Sequence, residues 1–292
     1  MERIPNKIQS FAADGDRLIP FTVENLRKSE GHRVPTYSEL ISKLAKLSYA
    51  NPELVLLFRG QAREYKEAGK TTLFPSIYRR QNHGDPSSDY SGDLALKYEE
   101  LQEKEVGLCR LFGNSYSVYH SRISRSELAR WAILQHYEVC RTPLLDVTTS
   151  AMIALSFAFL QARHSGLSEC VFYVLGVPQL SGSVTVSTAQ ALQVVRLSGV
   201  CPPEAIRPYC QEGHLVGTYP SVDTLDQKAR YDREEMDCAR RLVAKFRLPC
   251  HGAFWDQQFS HLPYAALYPD EPGRLSSAIR DLNPHARHRQ PR

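Results

Sequence analysis

Leu54-Val55-Leu56-Leu57-Phe58-Arg59-Gly60-Gln61 sets five apolar residues in a row ahead of a guanidinium, a glycine and an amide. A short unbroken apolar run, with Asn51-Pro52 before it and Arg59-Gly60 at its end, suits a strand buried on both faces. A charge on such a run must meet a partner, because an unpaired buried charge is costly. The planar fork of Arg59 suits a phosphate or carboxylate ligand. A core carboxylate such as Asp146 is the structural alternative. Gly60 lets the backbone turn or a ligand approach closely.

A second informative stretch lies downstream. Leu144-Leu145-Asp146-Val147-Thr148 reads as a strand that runs straight into Ser150–Arg163, the most apolar helical pattern in the chain. Thr149 or Ser150 can cap that helix. An Asp, two Thr and a Ser at one junction exceed what a cap requires, so a polar cluster facing a cleft is a rival to simple capping.

Outward from these two points, residues 1–35 are polar and read as loosely packed. A helix opens after Thr36 or Ser38, with Leu40, Ile41, Leu44 and Leu47 expected on one face. Gly84–Ser91 reads as a loop. Helices are expected over Leu94–Phe112 and over Ser126–Tyr137, the latter capped by Ser126. Cys170–Leu175 and Val184–Val186 read as strands, and residues 201–224, with four prolines, as irregular. Leu225–Phe246 reads as a charged helix. Ala253–Trp255 and Tyr264–Tyr268 read as late strands, and Arg274–Leu282 as a short last helix before a basic tail. Strands and helices mix without regular βαβ alternation, which fits an α+β fold better than a doubly wound sheet. The expected organisation is an N-terminal segment over 1–50, one domain over 51–282, and a tail over 283–292.

Composition agrees with a folded chain. Of 292 residues, 42% are hydrophobic and 23% charged, with a net charge of +4, unlike a disordered segment. The mild positive charge permits a polyanionic partner, as does the basic tail, although a solvated surface is the preferred reading of both. The seven cysteines are odd in number and lack a CxxC pair, which argues against a disulfide framework and a zinc site. The histidines show no metal-binding spacing, so no metal is expected. The first ten residues have no apolar centre, and the longest apolar stretch falls short of the roughly 20 residues that span a bilayer. No membrane partner is expected, and a cytoplasmic location is.

Two segments together resemble a known family. Leu56–Arg79 (LLFRGQAREYKEAGKTTLFPSIYR) carries an aromatic-Arg-Gly-Gln step followed by Pro-Ser and an aromatic-Arg, and Leu134–Phe159 (LQHYEVCRTPLLDVTTSAMIALSFAF) places Gln-His before a Thr, a Leu-Leu-Asp and an apolar helix. These are similar to the two blocks of the FRG domain family, in that family's order. Weaker echoes stand at Gly252-Ala253-Phe254 and Leu267-Tyr268-Pro269-Asp270, so the resemblance covers roughly residues 50–282. Tyr137-Glu138 stand where the family often has an aromatic or Gly, and Cys250-His251 where it often has a Gln.

The order of the blocks also resembles ADP-ribosyltransferases of the Arg-Ser-Glu type. That resemblance implies a split β-sheet core flanked by helices, with NAD as substrate. Arg59 would match the first-strand Arg, and Thr148-Thr149-Ser150 the Ser-Thr-Ser step. Cleaving the nicotinamide–ribose bond builds an oxocarbenium-like centre, as glycoside cleavage does. Arg59 would then hold phosphates, Thr148 and Ser150 would fix ribose, and a carboxylate would stabilise positive charge. Gly60, Gln61, His136, Asp146 and Thr149 would surround the cofactor. For His136, a satisfied core histidine is the alternative. No late Glu-x-Glu step occurs. Glu271 stands in for the carboxylate, with Asp270, Asp256 and Asp146 as alternatives, and Asp270–Gly273 reads equally as a turn.

The implied function is an NAD-dependent ADP-ribosyltransferase, a bacterial toxin or anti-phage effector. Its acceptor would be a macromolecule, nucleic acid or protein, with an antitoxin as a further partner. A non-catalytic nucleotide- or nucleic-acid-binding module with the same polar cleft is the alternative.

Overall fold

The computed structural model describes residues 1–4, 7–13, 15–80, 90–115, 123–179, 181–218, 224–228, 230–269, 278–279 and 281–282. Its strands are β1 (Ile8–Phe11), β2 (Leu18–Phe21), β3 (His32–Arg33), β4 (Val55–Gln61), β5 (Lys66–Glu67), β6 (Lys70–Thr71), β7 (Leu144–Thr148), β8 (Glu169–Val177), β9 (Val184–Ser187), β10 (Leu192–Arg196), β11 (Gly213–Thr218) and β12 (Leu242–Pro249). The longer helices, with one short N-terminal one, are α1 (Val23–Lys28), α2 (Tyr37–Ala50), α3 (Tyr90–Ser115), α4 (Glu127–His136) and α5 (Ala151–His164). Eight strands form one mixed sheet in the order β3-β12-β8-β4-β7-β11-β10-β9, flanked by helices. The fold is α+β. No described helix is long and apolar enough to cross a membrane.

Local chemistry explains the helix ends. Glu39 N donates to Thr36 Oγ1 at 3.3 Å, Ala129 N to Ser126 Oγ at 3.2 Å, and Ile153 N to Ser150 Oγ at 3.5 Å. Each hydroxyl satisfies one of the orphan N–H groups of a first turn. In α2, Leu40, Leu44 and Leu47 are buried, but Ile41 is exposed. One residue past Leu40 lies about 100° around the helix, off the core-facing stripe.

The apolar helix α5 lies across β4, and Gly60 makes that approach feasible. A Cβ at Gly60 would stand 1.9 Å from the Ala154 carbonyl oxygen and 2.8 Å from Ala158 Cβ. Gly60 is therefore demanded by helix-on-sheet packing. β4 runs on through Gln61, past the Arg59-Gly60 step where its apolar run stops.

Several expectations are overturned. Residues 1–35 are well packed: Met1, Ile4, Ile8, Phe11, Val23, Leu26 and Val34 join the same core as Leu57, Val174 and Phe246, and β3 pairs with β12. Leu225–Phe246 is not one helix. A short helix (Leu225–Lys228) and two 3-10 turns lead into β12, which pairs with β8 from Leu242 opposite Leu175 to Pro249 opposite Glu169. Arg241 and Lys245 misdirect a sequence reading because both side chains are buried. Lys245 Nζ bonds Glu64 and Thr71, and Arg241 Nε donates to Gly176 O at 2.8 Å.

Residues 201–224, expected to be irregular, contain a short helix (Ile206–Cys210) and β11, which pairs with β7 on one side and β10 on the other. Gly252–Trp255 is a 3-10 turn and Tyr264–Leu267 a helical turn, so neither is a late strand. Most of the Gly84–Ser91 loop, most of Arg274–Leu282 and all of the basic tail lie outside the described residues.

A buried ionic cluster ties the N-terminal segment to the sheet. Arg27, on α1, donates through Nη2 to Asp237 Oδ2 at 2.6 Å and through Nη1 to Glu234 at 2.9 Å. Asp237 Oδ1 also accepts from Leu73 N and Ala239 N. Removing one partner strands the other charge in the core.

Urea denaturation should show Gly60→Ala losing about 3 kcal/mol or more from overpacking. Gly252→Ala, where an added Cβ meets nothing within 4 Å, should be near neutral. Asp237→Ala should cost about 3–5 kcal/mol by removing the buried carboxylate beside Arg27 and leaving it the more exposed Glu234 as its counter-charge.

Candidate functional site

The middle of the sheet is barely joined. Phe58 opposite Thr148 is the one ladder pair between β4 and β7 among the described residues. Beyond it the strands part. Arg59, Gly60 and Gln61 stay paired to β8, and Leu144 to Val147 stay paired to β11. Backbone groups on the facing edges then need other partners. Arg59 supplies one: its Nη1 donates to the Asp146 carbonyl oxygen. With its amide oxygen turned toward Arg59, Gln61 accepts from Nε at 3.1 Å and Nη2 at 3.3 Å.

The opening is a cleft of about 380 Å³, which Arg59, Gly60, Gln61, His136, Asp146 and Thr148 all help to line. Parts of the chain far apart in sequence also meet behind its wall. Gln135 Nε2 donates to Asp146 Oδ2 at 2.7 Å. The Gln135 oxygen accepts from Thr142 Oγ1 at 2.7 Å and Ser76 Oγ at 3.1 Å, and Thr142 N donates to Ser76 Oγ at 3.0 Å. Ser76 of the first sequence block and Gln135, Thr142 and Asp146 of the second thus form one hydrogen-bond relay. A relay of this kind holds the Gln135 amide in one orientation.

Charge in the cleft is unbalanced. Among the described residues, Arg59, Arg63, Arg79 and Arg207 face two carboxylates, Asp146 and Glu138. Burial lowers the Arg59 pKa, and the Asp146 charge opposes that shift. Arg79 reaches the water of the cleft, yet the protein packed about it, and after that the Arg59 charge, bring its pKa down to about 10. Burial raises the Asp146 carboxyl, against the pull of Arg59 and the Gln135 hydrogen bond. Burial and then the Arg207 charge hold His136 well below its usual pKa, so its imidazole is neutral at pH 7. His136 is 3% exposed and its Nε2 has no hydrogen-bond partner among the described residues. A buried ring nitrogen on a cleft wall without a partner is what a ligand atom would satisfy.

The rim opposite β4 is aromatic and cationic. The Arg207 guanidinium lies 4.5 Å from the Tyr268 ring centre, and Tyr268 meets Phe157 edge-on at 5.7 Å. Arg207 also donates to Glu138 Oε1 at 3.0 Å. Glu138 holds a left-handed φ of +57°, uncommon outside glycine and asparagine.

The hydroxyl residues lie less openly. Thr148 Oγ1 donates toward Gln211 O at 2.9 Å and Glu212 O at 3.2 Å, and accepts from Ser150 N. Ser150 caps α5, and exposed Thr149 bonds Glu212 at 3.3 Å. Neither Thr149 nor Ser150 lines the cleft. Gly60 borders it but has its own packing reason. Glu271 and Asp270 fall outside the described residues, and Asp256 accepts from Ser38 N at 3.0 Å, bound to the start of α2.

Arg79, Arg207, Gln135, Glu138 and Tyr268 were not assigned from sequence. Arg79 and Gln135 sit inside the two blocks and could have been found there. Arg207 offers no local signal, because an Arg in an irregular stretch looks like surface.

One side-chain group elsewhere has metal-like composition. Asp16, His32 and Glu39 lie within 4.8 Å of one another. Lys43 Nζ bridges Asp16 at 2.7 Å and Glu39 at 3.2 Å, so an ammonium already occupies the place of a cation.

Compared with known proteins, residues 55–166 match the family described as the FRG domain. No curated protein and no solved structure matches the chain.

An excess of guanidinium groups calls for an anion. Inorganic pyrophosphate should raise the melting temperature of the wild-type chain, less so at high salt. Arg79→Ala should abolish that rise while moving the ligand-free melting temperature by under about 2 °C, as surface substitutions do.

Proposed function

From the FRG domain that residues 55–166 form, we propose that this chain is an NAD-dependent ADP-ribosyltransferase whose dinucleotide lies between the two arms of the sheet. The carrying observation is the cleft itself: four arginines against two carboxylates, at a sheet joined by one residue pair. A hinge at Phe58 and Thr148 is also what a split β-sheet core of the ADP-ribosyltransferase kind would need. The volume of about 380 Å³ lies in the range of small-molecule sites.

In this reading Arg59 and Arg79 hold the diphosphate by charge-assisted hydrogen bonds. Arg59 keeps N–H donors on both Nη atoms beyond those given to Asp146 and Gln61. His136 Nε2, neutral and without a partner, and the Gln61 amide are the groups free to bond ribose hydroxyls. Thr148 borders the same space and, with Ser150, shapes the turn that sets its floor. Arg207, Tyr268 and Phe157 give this rim a cationic and aromatic wall. The acceptor is a macromolecule with a nucleophilic oxygen or nitrogen.

One observation favours the second reading, a nucleotide-binding module without catalysis. The hydroxyls of Thr148 and Ser150 are already held by backbone groups, which limits their use on a ribose.

Incubating the purified chain with NAD and a panel of RNA, DNA and protein acceptors separates the readings. Nicotinamide release with a labelled macromolecule is the expected result, and free ADP-ribose without label would indicate hydrolysis. Binding of NAD with no release would leave the binding module. Arg79→Ala should lower kcat/KM for NAD by roughly 10- to 100-fold, mainly through KM, the worth of a hydrogen bond to a charged group.

A further inference from the structure

Breaking the nicotinamide–ribose bond needs a negative charge beside C1′, and two described carboxylates line the cleft. Glu138 sits at the rim, 56% exposed in its side chain and held by Arg207 at 3.0 Å. Its charge is screened by water and shared with a guanidinium. Asp146 lies deeper, half-buried at the fork of the two strands.

Its two oxygens differ. Oδ2 accepts from Gln135, whose amide is fixed in turn by Thr142 and Ser76. Oδ1 has no hydrogen bond among the described residues. The Arg59 guanidinium is given to the Asp146 backbone carbonyl, so the carboxylate is not its hydrogen-bond partner. One oxygen is clamped and the other is left for a ligand, which is the arrangement of a preorganised electrostatic group.

We propose that Asp146 is the catalytic carboxylate of this site, and that Gln135, carried by Ser76 and Thr142, is its positioning residue. This rests on the ADP-ribosyltransferase reading. The C1′–N bond breaks and its electron pair leaves with nicotinamide, which departs neutral. Asp146 stabilises the oxocarbenium ion that remains. An acceptor O–H or N–H adds to C1′ while its proton passes to Asp146 and then to water. NAD and the acceptor give nicotinamide, the ADP-ribosylated acceptor and a proton, with no further reactant.

The test uses the full chain, NAD, and the acceptor found above or water. Asp146→Asn keeps an oxygen for Gln135 Nε2 and leaves the Arg59 bond to the backbone untouched. It should cut kcat for nicotinamide release at least about 100-fold, in the range of lost oxyanion-type or charge stabilisation, and change NAD affinity by less than about fivefold. Gln135→Met removes the hydrogen bond that lowers the Asp146 pKa, so the acid limb of the kcat–pH profile should move to higher pH. A merely structural Gln135 would leave that limb in place.

Release by Asp146→Asn within about threefold of wild type would overturn the proposal, as would an unmoved limb in Gln135→Met. Should Asp146→Asn fail to fold, the Gln135→Met profile decides alone. Wild-type chain that binds NAD but releases no nicotinamide would instead overturn the enzyme reading, and this assignment with it, before any variant is compared.

Discussion

One hydrogen bond sets the geometry of the centre: the Arg59 guanidinium to the Asp146 carbonyl, across strands that have just parted. A continuous ladder would have paired that carbonyl with backbone and filled the gap. A guanidinium spans a wider gap than an amide and brings further N–H donors with it. The same side chain therefore closes the sheet on one side and presents positive charge to the cleft on the other. Its structural role leaves donors for the proposed ligand, because the carbonyl and the Gln61 oxygen use only part of the fork.

Everything around this bond serves to hold the strands at that separation. Gly60 admits the backbone of α5 against β4, and Ser150 starts α5 directly after β7. The Gln135 relay joins α4 to β7 behind the cleft. On the β12 side, Arg27, Asp237, Glu64 and Lys245 form buried, fully paired charges that lock the N-terminal segment to the sheet. Such pairs contribute little net stability but exclude alternative packings, since every misplacement strands a charge. Those arginines and lysines are spent internally. Among the described residues the cleft arginines outnumber their carboxylates, and this asymmetry points to an anionic ligand.

The elements read correctly from the chain were those with strong local signals. The apolar run before Arg59, the Leu144–Thr148 strand, the apolar helix behind it, and the hydroxyl caps at Thr36, Ser126 and Ser150 all appear where their residues place them. The errors share a cause. β12 was mistaken for a charged helix because Lys245 and Arg247 look solvent-facing until Glu64 is brought alongside. β11 hid among prolines and short loops. Residues 1–35 looked loose because their apolar residues are sparse, although Met1, Ile4, Ile8, Phe11, Val23, Leu26 and Val34 are buried in the main core.

By itself, then, the chain determined the two blocks, the apolar strand that carries Arg59 and the polar junction that carries Asp146, because apolar runs and caps act over a few residues. Only tertiary structure decided that β4 and β7 touch at one pair. It alone brought Arg79, Gln135 and Arg207 to the same cleft, withdrew Thr149 and Ser150 from it, and left one oxygen of Asp146 without a partner among the described residues. Those outcomes depend on contacts between segments tens of residues apart. There the pairing of buried charges and polar groups, not local propensity, selects the arrangement.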